Sequence, residues 1–301
     1  MIENMSVIIV TYNEENNIQE CINSIKQITN KIFVVDSFSN DNTIKILKEN
    51  NIQYTSYEYK TYADKRNWSQ NNNPYNTEWV MHLDADERIS NKMLYWFNNE
   101  FIKISKLYDG VMFARKPIFL GRFLRFGGMY PIYTARLFKK EKGFCEKKAY
   151  DQHFVVNGKI KVTKIDIEND ITPNLTKFIN THNEYSKYEA AEIAMNLSQR
   201  GEVKTNFFGN PVERKRWLKN KIFYNMPIFT RSFLYFIYRY IFQLGFLEGK
   251  EGFIFFTLQS FWFRFLIDAK VYEIQKKSKK EGLSIAEVIK NEYGIKYANP
   301  N

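Results

Sequence analysis

The chain has 301 residues, with 44 Lys and Arg against 33 Asp and Glu, a formal net charge of +11. That length allows a full core, as one large domain or one domain plus an extension. The charge points to an anionic partner: nucleic acid, an acidic membrane surface or a phosphorylated substrate. Cys21 and Cys145 stand far apart without metal-ligand spacing, which excludes a disulfide framework and reads as reduced, structural thiols in the cytoplasm. Met1–Met5 carries neither the basic region nor the apolar core of a secretory signal, so none is expected before the first strand.

The first ninety residues alternate simply. Ser6–Thr11 is a near-continuous apolar run, the pattern of a strand buried on both faces. Residues 14–27 place Ile18, Cys21, Ile22 and Ile25 at helical spacing. Ile32–Val35 is a second buried strand ending at Asp36. Asp41 or Asn42 can cap the helix that holds Ile44, Ile46 and Leu47. Ile52–Tyr57 reads as a third strand, residues 63–71 as a helix, and Glu78–Leu83 as a fourth strand. Strand–helix alternation with short links implies parallel strands and right-handed crossovers, a three-layer α/β sheet. Ligands of such sheets bind beyond the carboxyl ends of the strands. Thr11-Tyr12-Asn13-Glu14, Asp36 and Asp84-Ala85-Asp86 all fall at those ends, and three polar clusters converging on one edge make a site.

Asp84 and Asp86 follow an apolar strand two residues apart, and side chains two apart on an extended backbone share a face. Mg²⁺ or Mn²⁺ takes hard oxygen ligands, keeps several waters and completes its shell with a substrate's phosphates. A short Asp-x-Asp at a strand end therefore suits an enzyme that holds a metal for a diphosphate. No Gly-x-Gly-x-x-Gly follows the first strand and no Gly-x-x-x-x-Gly-Lys occurs, which argues against a dinucleotide-binding dehydrogenase and a P-loop nucleotidase.

Residues 110–170 hold Gly- and Arg-rich turns and strand-like pieces at 111–115, 133–138 and 160–165. Thr172-Pro173 is expected to cap and open a helix running to about Arg200, with Gly201 just past its end. From about 217 the composition changes: Ile228–Leu247 and Phe253–Ile267 are dense in Phe, Tyr and Leu and punctuated by Arg231, Arg239, Lys250 and Arg264. No window reaches the roughly 18–20 uncharged apolar residues of a bilayer span. Two basic, aromatic helices suit the membrane interface, and Lys276-Lys277-Ser278-Lys279-Lys280 adds attraction for anionic lipid. A buried helical pair or a dimer interface is the competing reading. The expected division is 1–215 for the catalytic domain and 216–301 for the helical region.

Val7–Glu14, Val34–Thr43 and Asp84-Ala85-Asp86-Glu87 resemble the opening strand, second strand and metal motif of family 2 glycosyltransferases of the GT-A fold, a three-layer α/β/α sandwich. Phe38 stands where that family usually has glycine. Phe119–Phe123, Gly128–Pro131 and Arg136–Phe138 resemble the bacterial envelope-polysaccharide subgroup that includes the lipopolysaccharide core β-1,4-glucosyltransferases. Tyr150–Phe154, Asp166–Asn169 and His182–Tyr185 fit an exopolysaccharide branch of it, and the core enzymes carry His-Glu where this chain has Asp151-Gln152. The resemblance implies a metal-dependent, inverting transfer from a nucleotide-diphosphate sugar, by default a UDP-sugar, to a hydroxyl of an envelope glycan or lipid-linked acceptor. Taken with the aromatic and basic C-terminal helices, it makes the expected location the cytoplasm, peripheral at the inner face of the cell membrane.

Within that frame Asp86 is the expected direct metal ligand, and Asp84 bonds the ribose or braces the metal. Tyr12 stacks on the base, Thr11 and Asp36 bond the base or ribose, Glu14 belongs to the donor-binding turn, and Lys65-Arg66 pair with the nucleotide or with Asp84, unless they form a solvated helix face. Asp151 is the expected general base, since it lies beyond the metal motif where the family places an acceptor-side carboxylate, with Glu168 as fallback. His182 is either a packed helix residue or a phosphate or metal contact, a role His153 can serve instead. Arg122, Arg125 and Arg136 are candidate phosphate clamps. A nucleotidyltransferase and a catalytically inactive membrane-associated glycan-binding protein remain as alternatives. Nucleic acid is not an expected partner, because no helix-turn-helix, zinc site or RNP-type strand accompanies the charge.

Overall fold

The computed structural model describes residues 1–58, 61–148, 152–172, 174–197 and 201–295. They divide into two compact units. The first takes Met1–Ile118, Tyr130–Lys147 and Gln152–Ile171, and the second takes Phe119–Met129, Lys148 and the described residues from Thr172 on. The composition change near 216 lies inside the second unit.

In chain order the first unit runs β1 (Met5–Thr11), α1 (Ile18–Ile25), β2 (Ile32–Asp36), α2 (Thr43–Glu49), β3 (Gln53–Ser56), α3 (Tyr62–Asn71), β4 (Trp79–Asp84), β5 (Glu87–Ile89), α4 (Asn91–Asn99), α5 (Phe101–Leu107) and β6 (Gly110–Phe119). After the two-residue strand Arg122–Phe123 (β7), whose residues belong to the second unit, come β8 (Ile132–Lys139), β9 (Gly143–Cys145), β10 (Phe154–Val156) and β11 (Ile160–Asp170). The main sheet has the order β3-β2-β1-β4-β8-β6-β11-β5. Its first four strands are parallel, β8 is antiparallel to both β4 and β6, β11 is parallel to β6, and β5 is antiparallel to β11.

Alternation along the strands builds the layers. Met5, Val7 and Ile9 of β1 and Met81 and Leu83 of β4 face one way, into a core completed by Cys21 and Ile22 of α1, Leu47 of α2, and Met93 and Trp96 of α4. The other face carries polar positions met by α3 and the turn that follows it. Ser6 bonds Asn73 at 2.8 Å, and the His82 ring bonds Gln70 at 3.1 Å while packing on Phe138 and Phe154. Burial and the nearby Arg66 and Arg136 charges push the His82 pKa well below its ordinary value, so it sits in the core as a neutral ring. Asn67 of α3 exchanges hydrogen bonds with the Cys145 backbone at 2.8 and 2.9 Å, tying the β9–β10 ribbon to this layer. The class is α/β, with a helical C-terminal region. Both cysteines are free and buried, and burial pushes each thiol up to about 12.

The second unit comprises α6 (Leu175–Ala194), α7 (Pro211–Lys221), α8 (Thr230–Ile237), α9 (Gly249–Phe256), α10 (Phe263–Glu281) and α11 (Ile285–Tyr293). Ala190 and Ala191 of α6, Phe263, Ile267, Val271 and Ile274 of α10, and Val288 and Ile289 of α11 form its core.

Two expected boundaries are corrected here. The N-cap of α6 is Asn174, whose extended backbone lets its side chain accept the Lys177 N–H, and not Thr172; Pro173 lies outside the described residues. The helix stops at Ala194 and not near Arg200. Asn196 adopts φ +55°, and the Leu197 and Asn196 N–H groups close back on the carbonyls of Glu192 and Ile193. Asparagine thus performs the terminating role that the sequence pattern assigned to Gly201. The aromatic stretches also divide differently. α8 continues as a π-helical turn through Phe242 and ends at Leu244 (φ +61°), whereas α9, a π-helical turn at Thr257–Trp262 and α10 form one longer run from Gly249 to Glu281.

Candidate active site

The register of the parallel strands brings the polar strand ends level. Thr11 is paired with Asp36, Asp36 with Ser56, and Val10 with Asp84. Asn13 turns the chain after β1 at φ +54°, a left-handed conformation that asparagine tolerates. Its N–H donates to Ser39 Oγ at 2.8 Å and its side-chain oxygen accepts from the Asn40 N–H at 2.9 Å. Glu14 and Glu15 donate their N–H groups to Thr43 and Asp41. Asp36 is buried and accepts from the Ser39 N–H at 2.7 Å and its hydroxyl at 2.5 Å. The loops after β1 and β2 thereby form one laced rim. Tyr12 projects from it, 57% exposed, as does Phe38, 64% exposed. Phe38 has φ +59°, the backbone region that favours glycine.

Lys65 and Arg66 of α3 are both buried, so neither lies on a solvated helix face. Lys65 Nζ donates to the Thr11 carbonyl at 2.8 Å and to Ser37 Oγ at 2.7 Å, joining the ends of β1 and β2. Burial, reinforced by Arg66, lowers its pKa to about 8. Arg66 donates to the Leu83 carbonyl at 2.9 Å and pairs with Asp84 Oδ1.

Asp84 is the last residue of β4, and Ala85 and Asp86 form a turn before β5. Extended-strand alternation therefore stops at Asp84 and does not fix the direction of Asp86. The turn is closed by Arg88, which donates to the Ala85 carbonyl at 2.7 Å and to the Asn17 carbonyl at 2.9 Å. Both Asp84 oxygens are engaged: Oδ1 by Arg66 and by the Tyr62 hydroxyl at 3.1 Å, Oδ2 by Arg136 Nη2 at 2.6 Å. The same Arg136 nitrogen reaches Glu87 Oε1 at 2.7 Å, and Glu87 Oε2 accepts the Asp84 N–H at 3.0 Å. Burial raises the Asp84 pKa, but Arg136, Arg66 and Arg115 outweigh it and hold the carboxyl well below the usual carboxylate range. Asp86 differs. Among the described residues its hydrogen bond is with Asn169 Nδ2 at 3.1 Å. Burial, then the Asp84 and Glu87 charges, push its pKa up to about 7. A cation beside Asp86 would reverse the effect.

Among the described residues no group of three or more His, Cys, Asp and Glu side chains is placed to hold a metal. One carboxylate, Asp86, is available as a hard-oxygen ligand, which fits a cation that draws its other ligands from water and a diphosphate.

The remaining sequence candidates are placed as follows. Glu14 accepts from the Asn17 side chain at 2.7 Å at the start of α1. Glu168 on β11 pairs with Lys116 at 2.7 Å. The His153 N–H donates to Glu146 at 3.0 Å beside the β9–β10 ribbon. Asp151 lies outside the described residues. His182 is in the second unit, its Nδ1 against the Phe178 carbonyl at 2.8 Å and its ring packed on Phe178 and Phe263. Burial lowers its pKa. Arg122 is also in that unit and pairs with Glu248, whose other oxygen accepts the Arg125 and Phe126 N–H groups.

Sequence reasoning missed Tyr62, Arg88 and Arg115, and treated Glu87 only as the tail of the motif. Their signal was faint: Arg115 breaks the apolar run in the middle of β6, but nothing local says which carboxylates it meets.

The family model described as Glycosyl transferase family 2 matches residues 6–148, a little under half of the chain and the stretch that carries the rim and the acidic turn. An uncharacterized glycosyltransferase of Rickettsia conorii is 31% identical over 91 residues, 30% of this chain and 32% of that protein, so the match spans about a third of the relative's length. An uncharacterized glycosyltransferase of Rickettsia typhi is 24% identical over 290 residues, covering 91% of this chain and 89% of that protein. Among solved structures, S. aureus TarS 1–349 in complex with UDP-GlcNAc is similar at a TM-score of 0.45 and 15% identity, over 92% of each chain.

Proposed function

We propose, with the Glycosyl transferase family 2 domain at residues 6–148 as premise, that this protein moves a sugar from a nucleotide-diphosphate donor to a hydroxyl of a glycan or lipid-linked acceptor, with inversion at the sugar carbon. The observation that carries the reading is the acidic turn at the ends of the parallel strands. Guanidiniums engage both oxygens of Asp84 and leave Asp86 without a cationic hydrogen-bond partner among the described residues.

Transfer requires that the departing diphosphate be neutralised, the acceptor hydroxyl deprotonated, and both partners held in line. Asp86 would hold Mg²⁺ or Mn²⁺, whose chemistry there is to offset the charge of the leaving diphosphate. Asp84 braces the turn through Arg66, Arg136 and Tyr62. Exposed Tyr12 offers a ring to the base, and the rim of Thr11, Glu14 and Asp36, pinned by Lys65, gives the nucleoside a preformed seat. Asp151 is proposed as general base on the resemblance of Tyr150–Phe154 to the envelope-polysaccharide branch. Glu168 would first have to leave Lys116.

The envelope glycan as acceptor and the inner membrane face as workplace belong to the same proposal. No helix among the described residues is long and apolar enough to cross a membrane. The second unit nevertheless exposes large aromatics, including Phe208 at 91% and Phe242 at 73%, alongside its lysines, as interfacial binding requires. Replacing Phe242 and Phe253 with glutamate is expected to weaken sedimentation with anionic vesicles; undiminished binding would make that aromatic surface a packing or dimer face.

Calorimetric binding of UDP, GDP, CMP and dTDP with and without manganese tests the donor site. The expected result is selective, manganese-dependent binding of one of them. No binding of any would remove the enzyme reading in favour of a non-catalytic glycan-binding protein.

A further inference from the structure

Besides Arg88, which bonds the turn's backbone, three guanidiniums approach its carboxylates, and they are not equivalent. Arg66 and Arg136 are buried and bonded to Asp84 or Glu87. Arg115 donates no side-chain hydrogen bond among the described residues. Its Nε is buried without an acceptor, as are those of Arg66 and Arg136, but unlike theirs its terminal nitrogens make no hydrogen bond either; its nearest carboxylate oxygen, Glu87 Oε1, stands 3.7 Å away and already accepts Arg136 at 2.7 Å. The Arg115 side chain is 41% exposed.

Its position is rigid. Arg115 lies on β6, flanked in register by Ile132 of β8 and Ile167 of β11, so the backbone that carries it is fixed from both sides. A half-buried guanidinium has lost part of its water and gained no hydrogen bond in return, an arrangement that disfavours the fold on its own. A strand-mounted planar fork with open donors matches a phosphoryl group, which accepts two parallel N–H bonds. The same charge acts on both Asp84 and Asp86, so Arg115 stands over the turn where the donor's diphosphate is proposed to lie.

We infer that Arg115 is the residue that receives the second phosphate of the nucleotide donor, an assignment that rests on the donor-site reading above. Arg66 and Arg136 order the turn, Asp86 faces the leaving group, and Arg115 supplies its cationic hydrogen-bond donors. The competing use of the same fork, for a carboxylate on an acidic sugar or acceptor, makes a different prediction.

The test compares diphosphate with monophosphate binding by calorimetry, using the pairs UDP and UMP, GDP and GMP, and dTDP and dTMP, on the wild-type chain, Arg115→Gln and Arg115→Lys. The expected result is at least tenfold weaker binding of the diphosphate by Arg115→Gln and less than a twofold change for its monophosphate, with Arg115→Lys between because it keeps the charge and loses the fork. Equal diphosphate affinity in Arg115→Gln would overturn the assignment and leave the carboxylate use. A matched fall for both nucleotides in both variants would overturn it too, by making Arg115 a support of the turn. A wild-type chain that binds none of the six would overturn the donor-site reading itself and this assignment with it.

Discussion

Both units bury arginine against carboxylate, and they do so to different ends. In the second unit Arg231 pairs with Asp268, which also accepts the Phe229 N–H at 2.7 Å, and Glu189 takes Arg264, Lys219 and the Tyr224 hydroxyl. Each carboxylate there is surrounded by its own donors, and the pairs join α6, α7, α8 and α10. In the first unit three carboxylates (Asp84, Asp86, Glu87) and four guanidiniums (Arg66, Arg88, Arg115, Arg136) meet at one turn, and the pairing is incomplete: among the described residues Asp86 bonds an amide, and Arg115 makes no side-chain hydrogen bond and only a 3.7 Å ion pair with Glu87. Buried charge alone therefore does not mark a site. A buried cluster that leaves one carboxylate without a cationic hydrogen-bond partner and one guanidinium without an acceptor is the arrangement that a metal and a diphosphate can complete.

The first way to break this comparison is to remove a bonded partner from each region. Arg66→Ala leaves Asp84 short of one guanidinium and Arg231→Ala leaves Asp268 unpaired, and each is expected to lower unfolding free energy by about 3 kcal/mol in urea titration. A loss below about 1 kcal/mol for Arg66→Ala would mean that Arg136 and Tyr62 suffice, and that the turn is less dependent on α3 than the geometry indicates.

The second concerns Lys65. Its pKa is about 8 in the fold, against 10.5 for an ordinary lysine. The unfolded chain therefore binds more protons between those values, and stability contributed by this group rises with pH from about 8 to 10.5. The penalty of burying the charged form is fully present below 8 and is gone above 10.5. Denaturation of wild type and Lys65→Met across pH 7 to 11 should show the extra slope only in wild type; parallel curves would contradict the buried, strained setting of Lys65.

The smallest effect is at Phe38. A left-handed backbone costs a non-glycine residue roughly 1–2 kcal/mol, and glycine gives back part of that through its freer unfolded state. Phe38→Gly is thus expected to stabilise by up to about 1 kcal/mol, read from the urea midpoint, since little of the exposed ring's packing is lost. Destabilisation would show that the ring is held by contacts that outweigh the backbone strain.

Much of the first unit was legible because its strands are buried on both faces and read as unbroken apolar runs. β1, β2 and β4 fall within a residue or two of their expected bounds, and the polar residues just after them mark the sheet edge. The geometry of the site was less legible. Arg136 and Arg115 reach Asp84 and Glu87 from β8 and β6 through antiparallel pairing that no local pattern encodes, and Asn169 meets Asp86 only because β11 returns beside β5. The turn at Ala85-Asp86 hid within a run that looked extended. In the second unit the aromatic density announced helices but not their breaks: Asn196 ends α6 where glycine was expected later, and Leu244 interrupts a stretch with no glycine or proline before it.

The central claim is that Asp86, within a turn braced by Asp84, works on the donor's diphosphate. The most direct measurement is manganese-dependent release of nucleoside diphosphate from a panel of nucleotide sugars, with water as acceptor, by the wild-type chain and Asp86→Asn. The account predicts turnover of one donor by wild type and at least a hundredfold loss in the variant, with an unfolding midpoint at or above wild type, because a neutral side chain escapes the burial and like charges that disfavour ionised Asp86. Turnover by Asp86→Asn near the wild-type rate would contradict it.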